Sequence, residues 1–95
     1  MAKNMELLRK YIGVLSRDER IKPKHMILFL TLVYMGLSQN SVDMIRITRR
    51  QVMETAHIKG IPTYHKYMGE LQHLGYIFYL PSFHPAEGSP VAIRI

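Results

Sequence analysis

Hydrophobic residues crowd most densely into the run Met26–Leu37, MILFLTLVYMGL, where Thr31 and Gly36 are the interruptions. Twelve residues fall well short of the roughly 20 needed to cross a bilayer, so the run reads as a buried helix and no membrane partner is expected. Pro23 after Lys22 places the helix start, because the fixed φ and missing amide of proline suit a first turn. Gly36, Ser38 and Asn40 mark its end. With hardly any polar position, this helix needs apolar cover on most sides. Upstream, Asn4–Leu15 predicts another helix, with Met5, Leu8, Ile12 and Leu15 at helical spacing and Leu7, Tyr11 and Val14 widening the stripe. The simplest packing sets the two helices of residues 4–38 together and leaves surplus apolar surface. A second copy can bury that surface in a homodimer through the N-terminal helices; the alternative is a monomer whose two helices satisfy each other. A charged connector, SRDERIKPK, joins them.

The second half alternates helical and strand-like patterns. Thr48 is a hydroxyl N-cap for a short helix, RRQVMETAHI, whose apolar side is Val52, Met53, Ala56 and Ile58. Lys59 and Gly60 break the pattern, and Pro62 fits the first turn of a further helix reaching about Leu74. On that helix Tyr64, Tyr67, Met68, Leu71 and Leu74 share a core-facing sector, while His65, Lys66, Gly69 and His73 share the opposite one. Gly75 suits a left-handed C-terminal residue, and Tyr76–Leu80 is a β-prone run stopped by Pro81. Val42–Ile47 and the alternating Val91–Ile95 can complete a small antiparallel sheet with Ile77–Leu80. The connector Pro81–Pro90, PSFHPAEGSP, has three prolines and one glycine, and predicts a stiff hairpin-type loop.

These elements predict one α+β domain over 1–95, mainly helical. It comprises N-terminal helices (4–38), a helix-turn-helix (48–75) and a wing with a small antiparallel sheet (76–95). A chain of 95 residues can build one modest core. The absence of cysteine excludes disulfides and thiolate zinc sites, and the start, MAKNMELLRKYIG, lacks an apolar signal region; a cytoplasmic location is expected. Enzymatic chemistry finds little support. His25, His57, His65, His73 and His84 show no HExxH-like ligand spacing, and no nucleophile motif, glycine-rich phosphate loop or paired carboxylate stands out. No metal, cofactor or small-molecule ligand is expected.

Charge changes the picture further. Thirteen lysines and arginines against seven acids give a net +6. The segment 46–66 holds five basic residues against Glu54, a natural surface for phosphate. The segment 1–24 has seven basic residues against three acids, a surface that grips flanking phosphate or is simply solvated. The connector after β-prone 76–80 offers Ser82, His84 and Ser89 but also Glu87, and no Arg or Lys tip.

The stretch TRRQVMETAHIKGIPTYHKYMGELQHLGYIFYLPS resembles winged-helix regulators: hydroxyl N-cap, short helix, turn, and a helix ending in Leu71, Leu74 and Gly75 before a strand at Tyr76 and Ile77. DERIKPKH, TYHK and GYIFYLPSFHPAEGS look like segments of small stand-alone winged-helix regulators of anaerobic gut bacteria, over nearly the whole chain. The resemblance implies double-stranded DNA as partner, a groove-facing helix over 60–74 and a phosphate-contacting helix start at 48–50. By reach and chemistry, Arg49 and Arg50 are candidates for phosphate, with Lys59 beside them. Thr63, His65 and Lys66 are candidates for base edges, Gly69 for close approach to sugar-phosphate, and His84 for a contact from the wing. The expected role is transcriptional regulation. Two alternatives stand: a replication or excision accessory protein of a mobile element, and a winged-helix module for protein contacts without DNA binding.

Overall fold

A computed structural model describes residues 2–80 and 88–95 of the chain. Its elements are α1 (Ala2–Ser16), α2 (Pro23–Ser38), β1 (Ile45–Ile47), α3 (Arg49–Ala56), α4 (Ile61–His73), β2 (Ile77–Tyr79) and β3 (Ser89–Ile93). The fold is α+β and mainly helical, with a small antiparallel sheet, as the hydrophobic pattern predicts.

The apolar run forms the hub. Leu28, Phe29, Leu32 and Val33 of α2 are buried, and the helix packs against α3, α4, β1 and α1. Tyr11 and Leu15 are the buried anchors of α1, with Tyr11 edge-on to Phe29 at 5.4 Å between ring centres. The cover for α2 thus comes from three further elements as well as from α1, and Ile27 and Tyr34 are the large apolar side chains it leaves exposed. No described helix is long and apolar enough to cross a membrane.

In α3, Thr48 Oγ1 accepts from the Gln51 amide at 3.1 Å, the expected cap. The helix stops at Ala56, two residues before the predicted Ile58. His57 adopts the left-handed conformation at φ 60°, and the Ile58 amide returns to the Met53 carbonyl at 2.9 Å while its side chain is buried. The break therefore comes at an imidazole-bearing residue, with burial of Ile58 holding a conformation that glycine or asparagine adopts more readily. Gly60 then caps α4, Pro62 lies in its first turn, and Gly75 at φ 86° follows it. Of the predicted α4 stripe, Tyr64, Met68 and Leu71 are buried, whereas Tyr67 and Leu74 are half-buried.

Strand β3 lies between β1 and β2, antiparallel to both, with Val91 opposite Ile45 on one side and Tyr79 on the other. It begins at Ser89, so Pro90 belongs to a central strand and not to the preceding connector. An antiparallel residue points its amide and carbonyl to the same side. The Pro90 carbonyl accepts from Leu80 at 3.1 Å, just past the end of β2, so the missing donor faces that frayed end and leaves the ladder to β1 intact. Gly88, at φ 73°, leads into the strand where a Cβ would lie 2.9 Å from the Ile47 carbonyl oxygen. Of the expected loop over Pro81–Pro90, residues 81–87, His84 and Glu87 among them, lie outside the described residues.

Candidate nucleic-acid interface

The outward face of α4 follows from its stripe: burying Tyr64, Met68 and Leu71 turns Pro62, His65, Lys66, Gly69 and His73 to solvent. Tyr64 sets the helix against the sheet. Its hydroxyl stands 3.4 Å from that of Tyr79, and burial, reinforced by that contact, pushes its phenol pKa up against the opposing pull of the Arg49 charge. Thr63 is half-buried, so its hydroxyl serves the flank of the helix beside Gly60 more than the exposed face.

Two clefts flank the amino end of α4. One, of about 620 Å³, is lined by Arg49 and Arg50 at the start of α3, by Met53, and by Lys59 and Ile61 across the turn. The other, of about 380 Å³, brings Lys24 and Ile27 of α2 against His57, Lys59 and Thr63. His57 and Lys59 border both. The structure thus gathers Arg49, Arg50, Lys59 and Thr63 around one helix end, with His65, Lys66 and Gly69 continuing along the helix. Among the base-edge candidates Thr63 is half-buried, whereas His65 and Lys66 are exposed.

Among the described residues, two acids near this surface, Glu54 and Glu70, are engaged. Arg50 Nε donates to Glu54 Oε1 at 3.1 Å, one helical turn away and exposed. Glu70 receives the Nε2 proton of His25 at 2.8 Å. His25 is buried, and its Nδ1 accepts from the Lys22 amide at 2.9 Å, capping α2. That assignment leaves the ring proton on Nε2, directed at the Glu70 carboxylate. The same ring lies edge-on to Tyr67, 4.8 Å between centres, and Tyr67 in turn holds Lys24 Nζ at 5.8 Å and Lys66 Nζ at 5.3 Å from its ring centre.

Lys24, His57 and Tyr67 are the residues that sequence reasoning did not place here. A lysine in the first turn after Pro23 is a readable signal, because the positive end of a helix disfavours a cation. His57 gives no comparable sign, since it falls inside a helical pattern. Among the described residues no group of three or more His, Asp or Glu stands ready to hold a metal ion. No protein-family model matches this chain, and no curated protein or solved structure matches it either.

Proposed function

We propose that the chain binds double-stranded DNA as a winged helix-turn-helix, with α4 in the major groove, α3 as the supporting helix and β2–β3 as the strands of the wing. Regulation of transcription in the cytoplasm is the role this reading assigns. The observation that supports it most is the α4 face of His65, Lys66 and Gly69, exposed among the described residues and flanked by the exposed cations Arg49, Arg50 and Lys59. Lysine donates to guanine acceptors and imidazole can donate or accept, whereas arginines at a helix start reach phosphate. Selection of bound duplexes from a random pool at low salt tests the proposal. Enrichment that weakens steeply with salt, and is lost when Lys66 and Arg50 become alanine, is the expected result. A pool that stays unenriched overturns it.

The protein acts, on this reading, as a homodimer. Met5 and Ile12, seven residues apart and therefore on one side of α1, are 67% and 39% exposed, an apolar stripe suited to a second copy. An enriched palindrome, with half-sites about one helical turn apart, and a dimer mass in sedimentation equilibrium are the matching outcomes. A protein-contact module is favoured instead by Phe78 and Leu80, 47% and 53% exposed on and beside β2. It predicts an unenriched pool.

A further inference from the structure

We propose that Lys24 and Lys66, gathered at the ring of Tyr67, form a clamp for backbone phosphate, so that the DNA footprint extends from α3 and α4 onto the amino end of α2. The inference rests on the DNA-binding reading and adds to it a contact point, and a residue, outside the helix-turn-helix.

The two ammonium groups come from different helices to one ring, Lys24 Nζ at 5.8 Å and Lys66 Nζ at 5.3 Å. A fold ordinarily answers two cations held at one side chain with an acid that pairs with them. Here the neighbouring acid is committed elsewhere. Glu70 lies one turn beyond Lys66, the spacing at which a helix pairs opposite charges, yet its carboxylate is turned to His25 Nε2 at 2.8 Å. Among the described residues neither Lys24 nor Lys66 forms an ion pair. Lys24 is further disfavoured by its own position, the second residue of α2, where the helix dipole repels a cation. An anion from outside supplies the missing counter-charge and offsets the helix dipole at Lys24 together.

The arrangement of the neighbouring cations selects the kind of anion. Lys24 shares the 380 Å³ cleft with Lys59 and Thr63, and Lys59 shares the 620 Å³ cleft with Arg49, Arg50 and the Glu54 that pairs with Arg50. A belt of cations thus curves around the amino end of α4, from α3 through the turn to α2 and back to Lys66. One small anion neutralises one or two members of such a belt. A chain of phosphates neutralises it along its length, which is the chemistry of a nucleic-acid backbone. Tyr67, held edge-on by the buried His25, fixes where the two lysines gather.

The test compares the full chain with Lys24→Gln and Lys10→Gln by fluorescence anisotropy on a labelled random duplex, across a series of salt concentrations. Lys10 is an exposed cation on α1, so its replacement removes the same charge away from the belt. Lys24→Gln is expected to lower the slope of log affinity on log salt by about one unit and to weaken binding roughly five- to tenfold near 0.1 M salt, alike for all sequences. Lys10→Gln is expected to leave the slope in place and to melt as the parent does, while Lys24→Gln, relieved of the unfavourable dipole, is expected to melt no lower than the parent. Parent binding with equal slopes in the two variants overturns the clamp and leaves the DNA reading standing. A parent that fails to bind duplex even at low salt overturns both.

Discussion

His25 Nε2 donates to Glu70 Oε1 across 2.8 Å, tying the first turn of α2 to the third turn of α4. The same imidazole caps α2 through the Lys22 amide, so one buried side chain fixes the start of one helix and the setting of another. Replacing His25 by alanine orphans the amide, frees the carboxylate and opens a void under Tyr67. A loss of about 2–4 kcal/mol in urea unfolding is expected. Glu70→Gln keeps an acceptor for the Nε2 proton, and its loss should stay below about 1 kcal/mol. Similar losses in the two variants would show that the imidazole does not act through these bonds.

The Tyr76 hydroxyl donates to Asp18 Oδ2 at 2.6 Å, pinning the α1–α2 connector to the entry of β2. Arg20 adds its guanidinium and its amide to the same carboxylate, and the Arg20 side chain, followed by the Tyr76 hydroxyl, holds Asp18 well below the usual carboxylate range. A value lower in the fold than in the unfolded chain contributes stability that is complete above about pH 4 and fades as pH falls through the folded value. Melting temperatures followed downward from about pH 5 should therefore decline. Asp18→Asn should start lower at neutral pH and decline less steeply. Parallel declines in the two proteins would assign the acid sensitivity to other carboxylates.

Among the described residues Glu54 is the acid that sits among the proposed phosphate contacts, and Arg50 is engaged by it at 3.1 Å. Exposed pairs of this spacing contribute only about 0.3–0.5 kcal/mol, so Glu54→Gln should hardly move the unfolding midpoint. On DNA the effect should be larger, since the variant frees Arg50 and removes a charge that repels phosphate. Binding several-fold tighter at low salt, converging with the parent at high salt, is the expected anisotropy result. No gain at low salt would place the backbone away from the start of α3.

Much of the fold was legible because local signals coincide with burial. The Thr48 cap, Pro62 in a first turn, Gly75 after α4 and the unbroken apolar run of α2 each carry their own stereochemistry. The end of α3 was not legible: helical spacing continues through Ile58, and the left-handed His57 is held by a buried neighbour that pattern alone does not reveal. The proline-rich composition of PSFHPAEGSP places Pro90 in the connector, and only the register shows that it lies in a central strand with its missing donor facing a strand end. At the candidate site, the exposed face of α4 follows from periodicity. The pairing of Lys24 with Tyr67 and of His25 with Glu70 depends on how α2 crosses α4, a tertiary fact.

Gly69 separates structure from function most sharply. It is exposed in the middle of α4, its φ is ordinary, and a Cβ built there meets nothing within 4 Å. For the isolated fold, Gly69→Ala is therefore an improvement of about 0.5–1 kcal/mol, from the reduced freedom of the unfolded chain and better helix propensity. A glycine on the outward face, between Lys66 and His73, leaves room for close approach to the backbone there. With α4 in a groove, the added methyl meets sugar-phosphate or a base edge, and DNA affinity should fall even as the melting temperature rises. A variant that gains stability and binds duplex as tightly as the parent would take Gly69 out of the interface and rotate the proposed groove-facing surface toward the amino end of α4.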